Sequence, residues 1–126
     1  MKITKQEFHF IQQKLKNDKD HYILRVVSDS MTPFIKVGEK VEIKYENVKN
    51  LKIFDTVVFW SNGILLCHFF WSSDSENEDF FLTKSLKYRN EFDLKNNNQH
   101  LLGIVSDKNA SLFLKIKMIC SNISIF

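Results

Sequence analysis

The chain is organised around the segment Ser28-Asp-Ser-Met-Thr-Pro-Phe-Ile-Lys-Val-Gly-Glu39, which follows the β-rich run Tyr22-Ile-Leu-Arg-Val-Val27. Pro33 lacks a backbone donor and disfavours helix at the residue before it, so a turn is predicted around it. Gly38 suits a turn position with positive φ. Ser30 is therefore predicted at a sharp transition from strand to turn, where its hydroxyl can project and neighbouring N–H groups stay free. Hydroxyl residues also satisfy loose amides in ordinary turns, so a purely structural role remains open.

From residue 22 onward the sequence predicts a mainly β fold. Its apolar runs are rich in β-branched and aromatic residues, and polar turns separate them. Val41, Ile43 and Tyr45 alternate with charged residues, which predicts a strand with one face in water. The predicted strands are Tyr22–Val27, Glu39–Tyr45, Thr56–Trp60, Ile64–Trp71, Phe80–Lys84, Leu101–Val105 and Leu112–Ile119, the last of which also fits a helix.

The connections carry their own signals. Asn62-Gly63 between two apolar runs predicts a tight β-hairpin. Residues 72–79 predict an acidic loop tip, and Ser85–Gln99 predicts a long polar connection. One helix followed by about seven short strands indicates a small barrel or sandwich.

An N-terminal amphipathic helix is predicted over about residues 4–18. Thr4 and Glu7 have the spacing of a capping box. Phe8, Ile11 and Leu15 form one apolar stripe, so we expect this helix to cover an edge or end of the sheet.

Composition predicts a single domain, residues 1–126, with a β core over about residues 22–119. The chain has twelve Phe but only three Gly and one Pro, which excludes a low-complexity sequence. The net charge of +3 comes from scattered basic residues, so no nucleic-acid partner is expected. No apolar window reaches the ~18 residues of a membrane span, and no signal-peptide core is present. We therefore expect no integral membrane anchor and a cytoplasmic location, with a peripheral membrane contact left open.

Cysteine and histidine usage predicts no cofactor and no metal. Cys67 and Cys120 make neither a disulfide framework nor a metal-binding spacing, which favours a reducing compartment. The four His residues are scattered and lack ligand spacing.

His68 is the candidate general base for Ser30. It lies in the apolar strand Leu65-Leu-Cys-His-Phe-Phe70, and histidine is the side chain that most readily accepts a proton near neutral pH. Cys67 alternates to the opposite face of the strand, which argues against a Cys–His pair. A histidine that merely fills a strand position is the alternative. The other histidines, on a helix, at a strand start and in a polar loop, have no comparable setting.

A third group would orient the imidazole through its other nitrogen. Glu91 and Asp93 are the acidic candidates downstream, although an acid in a polar loop is commonly just solvated. Their order and spacing do not separate them.

Five segments in order resemble those of type I signal peptidases and their relatives. Ser28–Pro33 with Gly38–Val41 is similar to the Ser-Gly-Ser-Met-x-Pro … Gly-Asp-x-Val box, and Phe54–Phe59 to the Gly-Asp-x-Val-x-Phe segment. Cys67–Phe70 resembles the His-containing segment of the archaeal and endoplasmic-reticulum branch, where His replaces the bacterial Lys base. The remaining two are Phe81–Lys84, similar to Phe-Leu-Thr-Lys, and Leu102–Val105, similar to Leu-Gly-x-Val. The SOS-response repressors share this fold with a Lys base.

The resemblance implies Ser30 as nucleophile, His68 as general base and Asp93 as the orienting acid, with Glu91 as the alternative acid. It also implies an oxyanion hole formed by the Ser28 hydroxyl and the Ser30 N–H. The implied fold is a coiled, β-barrel-like sheet in a small soluble form without a membrane anchor.

This chain departs from the family's pattern at four places. Asp29 replaces Gly, Phe69 replaces Arg, Ser85-Leu86 replaces Gly-Asp, and Asp93 lies one residue farther along than the pattern expects.

Two functions are therefore predicted. The first is a serine endopeptidase that cleaves a leader or a partner peptide. The second is a degenerate member that binds an extended peptide without cleaving it, which Asp29 and the lost Gly-Asp favour. A β-barrel that binds nucleic acid is a remoter reading, disfavoured by the scattered basic residues.

Overall fold

The computed structural model describes residues 2–18 and 21–119. The fold is mainly β, as predicted: a seven-stranded antiparallel sheet curls into a half-barrel and carries two α-helices. The strand order across the sheet is β1-β2-β7-β3-β4-β5-β6. The elements are α1 (Lys5–Asp18), β1 (Tyr22–Arg25), β2 (Lys40–Lys44), β3 (Thr56–Ser61), β4 (Ile64–Ser73), β5 (Phe80–Lys84), β6 (Asn96–Asn97), β7 (Leu101–Val105) and α2 (Leu112–Ile119), with short 3-10 turns at 48–50 and 98–100.

Helix α1 begins at the predicted capping box. The Thr4 N–H donates to Glu7 Oε1 at 3.0 Å, and the Glu7 N–H donates to Thr4 Oγ1 at 3.1 Å. Phe8 and Leu15 are fully buried, and Ile11 packs beside them. The helix therefore covers the sheet with the apolar stripe that its sequence predicts.

Alternating side chains divide the interior into two clusters. On β4, residues 65, 67, 69 and 71 face one cluster, whereas residues 66 and 70 face the other. We call the first the large core; α1 and α2 pack into it, and it includes Phe8, Leu15, Met31, Ile35, Ile43, Val58, Phe69, Leu102 and Met118. We call the second the small core; it comprises Val57, Phe59, Phe70, Phe81 and Leu101. His68 is on the strand face of the small core.

The last predicted strand is a helix, so the β core ends at Val105 and not near residue 119. The Ser111 hydroxyl accepts the Leu114 N–H at 3.2 Å and caps this helix, α2. Leu114 and Met118 lie four residues apart and both turn toward the large core, where Met118 is fully buried. Helical spacing of the buried residues therefore outweighs the β propensity of the segment. Cys120 lies outside the described residues.

The long polar connection contains a strand that the sequence did not predict. Asn96 and Asn97 form β6, which pairs with Phe81 and Phe80 at the end of the sheet. Asparagine is depleted in strands, so neither propensity nor apolar alternation marks this element.

The predicted hairpin between β3 and β4 is present. Asn62 and Gly63 have φ values of 51° and 82°, which suits a two-residue turn that needs positive φ at both positions. No helix within residues 2–18 and 21–119 is long and apolar enough to cross a membrane.

Candidate active site

Ser30 lies in a loop whose two ends are joined by backbone hydrogen bonds. Val26 donates its N–H to the Glu39 carbonyl at 2.8 Å and accepts the Gly38 N–H at 2.7 Å. Gly38 has a φ of 87°, a positive value that glycine adopts without strain in the turn that returns the chain to Val26. Met31 and Ile35 are buried in the large core and anchor the loop, which leaves Ser30 half-buried at its start.

The His68 side chain meets the Ser30 hydroxyl. Strand β4 places His68 opposite Val57 of β3, and its ring packs edge-on against Phe59 at a centroid separation of 5.7 Å. Its Nε2 lies 3.0 Å from Ser30 Oγ. His68 is only 6% exposed, so the surrounding strands hold the imidazole in a water-poor setting.

The other ring nitrogen of His68 meets Asp93. Nδ1 lies 2.6 Å from Asp93 Oδ2, a short separation typical of a bond with charge on one partner. A carboxylate accepts only, so Nδ1 carries a proton, and in the neutral imidazole Nε2 then presents its lone pair to Ser30. This is the tautomer that a general base needs.

Asp93, and not Glu91, is the acid that reaches His68. The Asp93 N–H donates to the Thr83 carbonyl at 3.0 Å, and the Thr83 hydroxyl donates to Asp93 Oδ2 at 2.6 Å. Glu91 is exposed, and its N–H donates to the Tyr88 carbonyl at 3.2 Å within a turn. Since Ser30 and Asp93 occupy both ring nitrogens of His68, Glu91 has no part in this arrangement.

Ser28 lies against the backbone of Ser30. Its Oγ accepts the Ser30 N–H at 3.2 Å, which brings the two donors implied for an oxyanion hole to one place. In this arrangement the Ser28 oxygen already accepts the Ser30 N–H, so an oxyanion would replace it as the acceptor of that N–H, and the Ser28 hydroxyl would turn to donate its own hydrogen bond.

The Asp29 side chain is exposed and pairs with a lysine of the connection that follows β5. Its Oδ2 lies 2.9 Å from Lys87 Nζ, and the Lys87 N–H donates to the Ser30 carbonyl at 2.8 Å. The hydrogen bond and charge of Lys87 hold the pKa of the Asp29 carboxyl below its ordinary value. The negative charge beside Ser30 is thus paired with a neighbouring cation.

Buried groups replace the Gly-Asp pair of the family's pattern. Leu86 is part of the large core, and its N–H donates to Met31 Sδ at 3.4 Å. Ser85 is also buried, and its hydroxyl accepts the Tyr88 N–H at 3.1 Å. These contacts fasten the chain that leads to Asp93 onto the Ser30 loop.

A narrow apolar cavity of about 60 Å³ lies beside Ser28 and Ser30. Its lining includes residues 24–28, Met31, Ile35 and residues 65–67 of β4. This volume exceeds the ~10–15 Å³ that a cavity needs to hold one water, so there is room for a small group.

The remaining histidines and Cys67 take no part in the site. His21 pairs with Glu42, and His100 packs against the Trp60 ring. Cys67 faces the large core, on the opposite face from His68 as predicted, and burial raises the pKa of its thiol to about 12. No group of three or more potential ligands in the described part of the chain could hold a metal ion.

Sequence reasoning missed two contributors, Thr83 and Asn96. Thr83 contacts Asp93 twice, and Asn96 Nδ2 lies 3.4 Å from the Thr83 hydroxyl. Thr83 occupies a resembling segment, but nothing in a lone strand threonine indicates which loop residue it will meet.

The arrangement can transfer a proton from Ser30 to His68 while Asp93 stabilises the resulting imidazolium, with donors at hand for an oxyanion. Such an arrangement is suited to acyl transfer. Comparison with known proteins adds no relative, since no protein-family model and no curated protein matches this chain.

Proposed function

We propose that this chain is a serine endopeptidase of the signal-peptidase-like type, which cleaves a leader or a partner peptide. The observation that carries the proposal is the hydrogen-bonded series Ser30–His68–Asp93, with separations of 3.0 and 2.6 Å. Ser, His and Asp come from three separate parts of the chain. Their convergence with the correct tautomer supports a catalytic role over a structural one.

The proposed reaction begins when His68 Nε2 takes the proton of the Ser30 hydroxyl as Ser30 Oγ attacks the scissile carbonyl carbon. The carbonyl oxygen becomes an oxyanion that accepts hydrogen bonds from the Ser30 N–H and the Ser28 hydroxyl. The protonated His68 then donates its proton to the leaving amine as the C–N bond breaks. Water, activated by the same imidazole, hydrolyses the acyl-enzyme and regenerates the serine.

The edge of β1 offers a place for an extended substrate. β1 is the terminal strand of the sheet, and Val26 directs its own N–H and carbonyl toward the β2 side. In an extended chain the neighbouring residues Arg25 and Val27 therefore present theirs to the open side. A peptide could pair with this edge and lead its carbonyl to Ser30, with a small apolar side chain in the adjacent cavity.

A peptide-binding protein that does not cleave is the second candidate. It is favoured by Asp29 beside the nucleophile and by Ser85-Leu86 in place of the Gly-Asp of the resembling family's pattern. The paired, exposed Asp29 carboxylate weakens this alternative, because it limits repulsion of an oxyanion.

Covalent labelling tests the proposal. The protein is treated at mildly alkaline pH with serine-reactive acylating probes of several chemistries, and the labelled residue is identified by mass spectrometry. We expect labelling of Ser30 in the wild type and in His9→Ala, a control that removes an imidazole remote from the site. Labelling is expected to fall to background in Ser30→Ala and His68→Ala.

Equal labelling of wild type and Ser30→Ala in folded samples would contradict the peptidase proposal. Circular dichroism of each variant establishes that it is folded. Retained binding of extended peptides without acylation would then support the second candidate.

A further inference from the structure

Behind Asp93 lies a second layer of polar side chains that the proposed reaction does not itself use. Thr83 is fully buried and Asn96 is 6% exposed, although both are polar. The Thr83 hydroxyl lies 2.6 Å from Asp93 Oδ2 and 3.4 Å from Asn96 Nδ2. Buried polar groups require partners, and these two residues provide them for each other and for Asp93.

The direction of each hydrogen bond in this layer follows from the groups present. The Asp93 carboxylate only accepts, so the single proton of the Thr83 hydroxyl must point to Oδ2. The hydroxyl oxygen is then left to accept, and the neighbouring Asn96 atom must donate. An Asn96 with its carbonyl toward Thr83 would leave two acceptors facing one proton, so its amide nitrogen faces the hydroxyl.

The two-residue strand β6 explains how Asn96 comes to this place. Its pairing sets Asn96 opposite Phe81, and Thr83 follows Phe81 by two residues on the same face of β5. The segment from Asp93 to Asn96 is therefore attached to β5 at both ends. The Asp93 N–H donates to the Thr83 carbonyl, and Asn96 pairs with Phe81. A segment of the polar connection is clamped at both ends.

We propose that Thr83 and Asn96 are positioning residues that select Asp93 as the partner of His68 and hold its Oδ2 at the Nδ1 proton. This inference rests on the proposed function for its catalytic consequence. Oδ2 receives two donors, from His68 and Thr83, so its position is set from both sides. Glu91, two residues earlier, has no such partner on β5 and stays in the exposed turn.

The test compares Thr83→Val, which keeps the shape and removes the hydroxyl, with Thr83→Ser, which keeps the hydroxyl. Thr56→Val is the matched control, because Thr56 is likewise buried in a strand but takes no part in the hydrogen bonds that join Ser30, His68, Asp93 and Thr83. Two readouts are taken: the rate of Ser30 acylation, and the proton NMR resonance of His68 Nδ1–H, which a short bond to a carboxylate moves downfield. Unfolding measurements establish that each variant is folded.

We expect Thr83→Val to lower the acylation rate by about 10- to 100-fold, the effect of losing one hydrogen bond to a charged group, and to shift or broaden the His68 resonance. Asn96→Leu is expected to act in the same direction with a smaller effect, because it leaves the Thr83 hydroxyl in place. Thr83→Ser should restore both readouts most of the way, and Thr56→Val should leave both unchanged.

The NMR readout separates failure of this inference from failure of the proposed function. If the wild type shows no acylation but its downfield resonance is lost in Thr83→Val and kept in Thr83→Ser, the positioning role stands and the peptidase proposal falls. If Thr83→Val keeps the resonance and the rate, or if Thr83→Ser loses as much as Thr83→Val, the inference is overturned.

Discussion

Two neighbouring residues of β4 show how differently one strand can use burial. Cys67 faces the large core, where apolar surroundings raise the pKa of its thiol from an ordinary 9.0 to about 12. His68 faces the other way and is even less exposed overall, yet both of its ring nitrogens are hydrogen-bonded. The thiol is therefore kept neutral, whereas the imidazole lies between a carboxylate and a hydroxyl.

The contrast teaches that partners, and not burial, prepare a side chain for chemistry. Desolvation alone disfavours a charged form and leaves a group inert. When an acid is aligned behind the group and a hydroxyl in front, the same dry setting strengthens each interaction. In this chain the partners of His68 come from distant parts of the sequence, whereas Cys67 packs against the large core.

Removing the Asp93 carboxylate should deprive His68 of the partner that distinguishes it from Cys67. In Asp93→Asn the amide can donate to Nδ1 and so favours the tautomer in which Nε2 carries the proton. A protonated Nε2 cannot accept the proton of Ser30. By analogy with catalytic triads, we expect acylation of Ser30 to fall by about 10³- to 10⁴-fold. The measurement is the single-turnover acylation rate with the probe that labels the wild type best.

Glu91→Gln is the matched control for that experiment, since it removes the nearby exposed carboxylate and keeps Asp93. Its rate should match the wild type. A loss in Glu91→Gln as large as that in Asp93→Asn would show that Glu91 is the working acid in solution.

The reactivity of the Cys67 thiol gives a second test of the comparison between Cys67 and His68. A pKa raised to about 12 lowers the thiolate fraction of Cys67 in the folded protein, so alkylation should be much slower than in the denatured chain. A Cys120→Ser background leaves Cys67 as the one thiol, and alkylation by iodoacetamide is followed by mass spectrometry with and without denaturant. Alkylation of the folded protein as fast as that of the denatured protein would contradict the burial of Cys67.

The raised pKa of Cys67 also determines whether its contribution to the free energy of unfolding rises or falls with pH. Between about pH 9 and 12 the unfolded chain loses the Cys67 proton and the folded chain keeps it. The free energy of unfolding contributed by this group therefore falls as pH rises through that range.

The smallest effect is expected at the exposed ion pair beside the nucleophile. Asp29→Gly restores the residue of the family's pattern and removes the partner of Lys87, and an exposed pair of this kind contributes little. We expect the acylation rate to change by less than about fivefold. Because Lys87 lowers the pKa of Asp29, the pair persists into mildly acidic solution and is lost only as pH falls through that lowered pKa.

Lys87→Met is the complementary variant, since it leaves the Asp29 charge unpaired. Similar small effects in both variants are expected if the pair has no role in the reaction. A large gain in Asp29→Gly together with a large loss in Lys87→Met would show that the charge acts on the oxyanion.

The sequence indicated much of the sheet and part of the site. Phe80–Lys84 and Leu101–Val105 match the predicted strands residue for residue, because short β-rich runs between polar turns leave little choice. Asn96–Asn97 was missed, since it is a strand only through its pairing with β5. For Leu112–Ile119 the sequence predicts a strand but also fits a helix, and the helical form depends on the apolar core that Leu114 and Met118 contact.

The amino-acid sequence by itself determined the alternation of β4, the turns at Asn62-Gly63 and Gly38, and the capping box of α1, because each depends on residues close together in the chain. Residue types and spacing do not separate Asp93 from Glu91; the resemblance implied Asp93, and the tertiary structure brings Asp93 to His68. The two carboxylates lie two residues apart in the same polar segment, and nothing local distinguishes them. Which carboxylate contacts His68 depends on Thr83 and Asn96, one before and one after Asp93 in the sequence. The pairing of β5 with β6 brings both of them close to Asp93.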